Sequence, residues 1–114
     1  MPLASLFAEY WREKGHEIIE NDRGFISAIM HEGVCLIDNF YVKPEYRGGF
    51  TAYKLTTAMV KLAESKGCTQ FAAEVYKSDP LYEYIVSLHR HFGMSPIEDT
   101  EFKVTTSKPI GALK

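Results

Sequence analysis

The segment Tyr41-Val42-Lys43-Pro44-Glu45-Tyr46-Arg47-Gly48-Gly49-Phe50-Thr51-Ala52 has the residue types of an anion-holding turn between a strand and a helix. The first N–H groups of a helix lack intrahelical acceptors, and the aligned peptide dipoles leave partial positive charge there, so a phosphate is a natural occupant. Gly48 and Gly49 permit close backbone approach and positive φ, and Arg47 adds a fixed charge beside the turn. Pro44 stops the preceding strand, because it lacks a donor and restricts Lys43. Cys35 and Cys68 are isolated and have no sequence neighbour that would activate a thiolate, so both read as reduced packing residues. The four histidines and the acids lack metal-ligand spacing, and no metal is expected.

The elements around this turn follow from periodicity and punctuation. Leu6, Phe7, Tyr10 and Trp11 recur at helical spacing between Ala4 and Lys14, and Gly15 stands where that helix would stop. His16 to Glu20, the turn Asn21-Asp22-Arg23-Gly24 and Phe25 to His31 have hairpin chemistry, and Glu32-Gly33 leads into a strand from Val34 to Val42. Simple alternation puts Val34, Leu36, Asp38, Phe40 and Val42 on one face of that strand, with Cys35, Ile37, Asn39 and Tyr41 opposite. Both faces are mostly apolar, so the strand is expected to be central. Beyond the turn, Leu55, Ala58, Met59 and Leu62 predict a helix from Thr51 to Lys66 ended by Gly67, and Gln70 to Tyr76 reads as a buried strand. This strand, helix, strand order predicts parallel pairing through a right-handed crossover. Ser78-Asp79-Pro80 predicts the start of a last helix carrying Leu81, Ile85, Leu88 and Phe92 and ended by Gly93. One or two strands are expected between Pro96 and Thr106.

At 114 residues, with 46% hydrophobic and 25% charged content, the chain fits one domain: an N-terminal helix (1–15), a core (16–106) and a loose tail (107–114). A net charge of -2 without a basic stripe excludes a dedicated nucleic-acid surface. No apolar run reaches bilayer length, and Met1-Pro2-Leu3-Ala4 lacks the layout of a secretory signal, so a soluble, cytoplasmic protein with no membrane partner is predicted.

The turn, together with Leu88-His89-Arg90-His91-Phe92-Gly93-Met94, resembles the GCN5-related N-acetyltransferase (GNAT) family over roughly residues 16–106. The resemblance implies an α/β (α+β mixed sheet) fold, GNAT-like, without the usual first strand and helix pair. It implies acetyl-CoA as cosubstrate and an amine acceptor, either a small molecule or a protein. Pyrophosphate binding then falls to Arg47, Gly48, Gly49, Phe50, Thr51 and Ala52, and backbone contacts to the pantetheine arm to Phe40 and Val42. Many members place a glutamate base near Leu36, which brings forward Asp38 two residues on; an acid flanked by Leu36 and Phe40 would be desolvated, as suits a base. Its alternative reading is a bulge or a structural hydrogen bond. Glu74 and Tyr76 are further candidates near the cofactor arm. His89 stands where the family carries a tyrosine that protonates the departing thiolate, and a charged imidazole can do that work. His89, Arg90 and His91 read equally well as groups that complement a helix C-terminus.

Phe50 departs from the family by occupying the first glycine position of the turn, with Gly49 one place early. A phenylalanine held at positive φ would be strained, which predicts a reshaped turn or weaker cofactor binding. The short N-terminus predicts an acceptor site that is open or completed by a second copy in a homo-oligomer, with Tyr10 or Trp11 exposed for that contact. Compact forms of this kind resemble phage-encoded members, which would place the protein in a host cytoplasm or a virion. The rival function is a non-catalytic GNAT-fold binding or assembly protein whose turn no longer holds CoA.

Overall fold

The computed structural model describes residues 3–110. Helix α1 (Leu3–Glu13) is followed by strands β1 (His16–Glu20), β2 (Gly24–His31) and β3 (Val34–Val42), then by helix α2 (Thr51–Ser65), strand β4 (Gln70–Tyr76), helix α3 (Tyr82–His91), and strands β5 (Ser95–Asp99) and β6 (Lys103–Pro109). The strands form one mixed sheet in the order β1-β2-β3-β4-β6-β5. β3 and β4 are its parallel pair, linked by α2 as the crossover. The expected helix stops hold, with Gly15, Gly67 and Gly93 all at positive φ.

One face of the sheet carries α2 and α3. Leu55, Met59 and Ala63 of α2 meet Ile26, Ala28, Cys35, Ile37, Phe71 and Ala73 in the core, and Leu88 and Phe92 of α3 pack against the same cluster. Burying such side chains contributes about 1.5–3 kcal/mol each, so this face supplies most of the cohesion. Cys35 lies wholly within it, and burial, followed by the nearby Cys68, pushes its thiol up to about 12. It is a packing residue and not a nucleophile.

The opposite face is covered at one end by α1. There Trp11 stacks on His16 with ring centroids 4.1 Å apart and donates from Nε1 to Ser27 Oγ at 3.3 Å. The sequence places Trp11 at an exposed contact surface; the fold turns it inward, because Ser27 offers an acceptor and His16 an aromatic face. Tyr10 does stand exposed, and the side chain of Phe7 lies outside the described residues.

Three further expectations are corrected. The last helix starts at Tyr82 and not at Ser78-Asp79-Pro80, because Asp79 Oδ1 accepts from Leu81 N–H at 2.8 Å and closes a local turn first. The tail is not loose from Ser107, since Ser107 to Pro109 complete β6 against β4, and Ile110 is buried; residues 111–114 lie outside the described residues. Finally, the alternation along β3 breaks. Ser27 pairs with Asn39 but Ala28 with Ile37, so Asp38 is the extra residue of a β-bulge. Past the bulge Phe40 and Val42 rejoin the core face of Cys35 and Ile37, and Asp38 does not share a face with Phe40.

Candidate active site

The bulge has a second effect, on the other edge of β3. The β3–β4 ladder runs only from Val34↔Gln70 to Ile37↔Ala73. Beyond it β3 continues to Val42 held by β2, and β4 to Tyr76 held by β6. The two parallel strands therefore splay, and their facing backbone edges open on a cleft of about 210 Å³ lined by Asp38, Phe40, Glu74, Tyr76 and His89, among others. Both candidate catalytic residues and one of the two pantetheine candidates meet here. Val42 does not open on it: its side chain is buried and its carbonyl accepts from Arg47 Nε at 2.9 Å.

Asp38 leaves the core face and turns toward α1. Ser27 Oγ donates to its Oδ1 at 2.6 Å, and His16 Nδ1 lies 2.7 Å from its Oδ2. That second approach is off the N–H axis, so it is a charge contact and not a straight hydrogen bond. Glu74, another candidate, takes Lys103 Nζ at 3.1 Å.

His89 approaches the cleft from α3 and is only 8% exposed. Its Nδ1 lies 3.0 Å from Thr106 Oγ1 on β6. Burial pushes the imidazole down to about 4, so it is neutral near pH 7. The expected role as a charged acid is thereby corrected. In the tautomer in which the Thr106 hydroxyl donates to Nδ1 rather than to Met94 Sδ, 3.9 Å away, Nε2 carries the proton and the neutral ring can offer a hydrogen bond to a sulfur. The reading as a solvated helix-end residue fits His91, which is exposed, and not His89.

The anion turn lies at the far end of a second cleft, of about 440 Å³, lined by Tyr46, Gly48, Gly49, Tyr53, Tyr84 and His91, among others. Pro44–Tyr46 form a single 3-10 turn, and Arg47 then holds the loop to β3 through Val42 while its guanidinium lies against the rings of Tyr41 and Tyr84, 5.6 Å and 5.3 Å from their centroids. Gly48 takes φ +88°, and Phe50 sits at φ -90° in the ordinary helical region. The strain expected at Phe50 is absent, because Gly48 makes the left-handed step instead; the phenyl ring projects outward, 78% exposed. No side chain caps α2, so its first amides remain available to an anion. Thr51 and Ala52 bury their side chains and offer only backbone. Gly48→Ala is expected to cost about 1 kcal/mol, and Gly49→Ala, at a position with ordinary φ and space for a methyl group, within about 0.5 kcal/mol. Parallel urea melts would check this, and equal midpoints would contradict it.

No family model matches the sequence, and no curated protein matches it. Solved structures do. A GNAT-family protein of Desulfovibrio desulfuricans superposes with a TM-score of 0.74 at 15% identity over 93% of this chain and 77% of that one. The fold is that of the GNAT acyltransferases. PaiA N-acetyltransferase of Thermoplasma acidophilum, in complex with coenzyme A, gives 0.72 at 17% identity over 92% and 69% of the two chains. An aminoglycoside 6'-N-acetyltransferase complexed with coenzyme A gives 0.71 at 15% over 90% and 77%. At such identities the likeness is one of fold. Within the GNAT fold, the residues that sequence reasoning missed are those brought in by pairing: His16, Ser27 and Trp11 around Asp38, Thr106 behind His89, and Tyr84 beside Arg47. Only register could have revealed them.

Proposed function

We propose that the protein is an acyl-CoA-dependent N-acyltransferase that moves an acetyl group from acetyl-CoA to an amine by direct attack. The observation that carries this reading is the pairing of a β3–β4 splay with an uncapped helix start behind Gly48, in one sheet of the GNAT fold. A small apolar cavity lined by Phe40, Ile85, Leu88, His89 and Phe92 lies between the two clefts and shares lining residues with each, as a path for an extended arm would require. Arg47 and the amides of Gly48 to Ala52 hold the pyrophosphate, and the backbone of Phe40 at the splay holds the arm.

The amine nitrogen forms its bond to the thioester carbonyl carbon, the carbon–sulfur bond breaks, and the thiolate departs. Backbone N–H groups at the splay stabilise the oxyanion. His89 serves the departing sulfur through Nε2–H, on the α3 face. Asp38 belongs to the proton-accepting side, on the α1 face. Besides Asp38, the splay cleft is lined by Glu74, which is paired with Lys103 Nζ at 3.1 Å, and by Asp79, whose Oδ1 accepts from Leu81 N–H.

Calorimetric titration with acetyl-CoA tests the reading. Binding is expected, with Gly48→Val weakening it at least about tenfold, because the side chain enters the approach to the turn and strains it. No binding at millimolar ligand would reject the enzyme and leave the exposed Phe50 as the mark of a GNAT fold kept for non-catalytic binding.

A further inference from the structure

The Asp38 carboxylate is poorly placed to take a proton itself. One oxygen holds the Ser27 hydroxyl and the other abuts His16. His16 is better placed. Its ring is clamped against Trp11, its Nδ1 is closed off from solvent beside Asp38, and its Nε2 has no partner among the described residues. The geometry points to His16 as the general base of the transfer, with Asp38 as its positioning residue.

This inference rests on the acyl-transfer reading above and assigns a residue to its unfilled role. His16, Ser27 and Asp38 come from three adjacent strands and meet only because the bulge lifts Asp38 out of the core face. They lie on the sheet face opposite α2 and α3, while Asp38 also lines the splay between β3 and β4. His16, on β1, stands behind Asp38 and does not itself line the cleft, so an acceptor at the splay reaches its Nε2 through a water beside Asp38, and the sulfur leaves toward His89. The amine gives its proton through that water to Nε2 as the carbon–nitrogen bond forms. Asp38 Oδ2 then faces a doubly protonated ring, and its off-axis contact with Nδ1 tightens under that charge. A carboxylate that fixes a ring through one nitrogen so that the other can exchange protons is the usual division of labour in a histidine base.

From α1, Arg12 is tied to the Ile18 carbonyl at 3.3 Å. From β2 the facing group is the neutral Ser27 hydroxyl. On the far face Glu17 pairs with Lys66 of α2 at 3.1 Å. Asp38 is the charge in contact.

Trp11 is the only tryptophan of the chain, and it stacks on this ring. Its emission should therefore report His16 directly, since an imidazolium quenches a stacked indole. The test uses the whole protein and acetyl-CoA with water as acceptor, and follows release of the free thiol across pH. The wild type should release thiol faster than buffer, with a fall at low pH that tracks the Trp11 emission change. His16→Gln should slow release about 100-fold, abolish both the low-pH fall and the emission change, and leave acetyl-CoA affinity unaltered. Asp38→Asn should lower kcat for thiol release while KM for acetyl-CoA stays unaltered, and added imidazole should restore part of the rate of His16→Ala.

A low-pH fall that persists in His16→Gln, or that does not track Trp11 emission in the wild type, would overturn the inference. So would a wild type that binds acetyl-CoA but releases thiol no faster than buffer; in these cases the bound acetyl-CoA keeps the acyl-transfer reading standing. A wild type that binds no acetyl-CoA removes both. If His16→Gln does not fold, the coincidence of rate and emission in the wild type decides alone.

Discussion

Gly24→Ala is expected to lower stability by about 3 kcal/mol or more, a large loss for a single methyl group. Gly24 opens β2 directly opposite Val42, and a Cβ built there would stand 2.1 Å from the Tyr41 carbonyl oxygen and 3.0 Å from Val42 Cα. Both obstacles are backbone, so no side chain can rotate away, and the strands must part where they are held most closely. Asn21 Oδ1 accepts from Arg23 and Gly24 N–H, and Lys43 N–H bonds to the Arg23 carbonyl at 2.8 Å, so the chain on either side is pinned as well. The displacement has a functional reach. Val42 supplies the carbonyl that anchors Arg47, and moving Val42 frees the residue that positions the anion turn. Urea denaturation of wild type and variant should show a much lower midpoint at a similar slope, and acetyl-CoA affinity should fall with it. A midpoint change equivalent to less than about 1 kcal/mol would mean that the strands have more freedom here than the register implies.

Much of the fold was legible because it is written in local chemistry. The stops at Gly15, Gly67 and Gly93 need only the left-handed region that glycine enters freely. The parallel β3–β4 pair follows from strand, helix, strand order alone. The anion turn was legible as a place, and its resemblance to the GNAT pattern located Asp38, Phe40 and His89 along the chain. The bulge and a structural hydrogen bond stood as the alternative reading of Asp38, and the structure shows both; periodicity alone could not choose that reading. Alternation assumes an unbroken ladder, and Asp38 looks like any inward residue until Ser27 and Ala28 of another strand show that the register slips beside it. The same slip creates the splay, turns Asp38 toward His16, and returns Phe40 to the core. At Phe50 the sequence left two outcomes, a reshaped turn or weaker cofactor binding, and the chain has the reshaped turn, with the left-handed step at Gly48 and Phe50 at an ordinary φ. Trp11 was misread because its partner Ser27 is distant in sequence. Burial of His89, and so its neutral state, depends on α3 docking against β6.

That neutral state should make the fold sensitive to acid. An imidazole ordinarily titrates near 6.5, and burial lowers His89 to about 4 in the folded protein. Below the unfolded value the unfolded chain binds a proton that the folded chain refuses, so the contribution is fully present above pH 6.5 and is lost progressively as pH falls toward 4. The whole span corresponds to on the order of 3 kcal/mol. Carboxylates titrate in the lower part of the same window, so the informative quantity is a difference. His89→Gln keeps a hydrogen-bonding group near Thr106 Oγ1 but has nothing to protonate. Its stability relative to wild type, measured by urea melts at pH 7 and pH 4, should therefore improve by about 3 kcal/mol on going to the lower pH, even if it starts below wild type. A relative stability that does not move with pH would mean that the imidazole reaches water and titrates normally. The same neutrality bears on the proposed acyl transfer. In the proposed transfer, a ring uncharged across the neutral range cannot impose a rate change there.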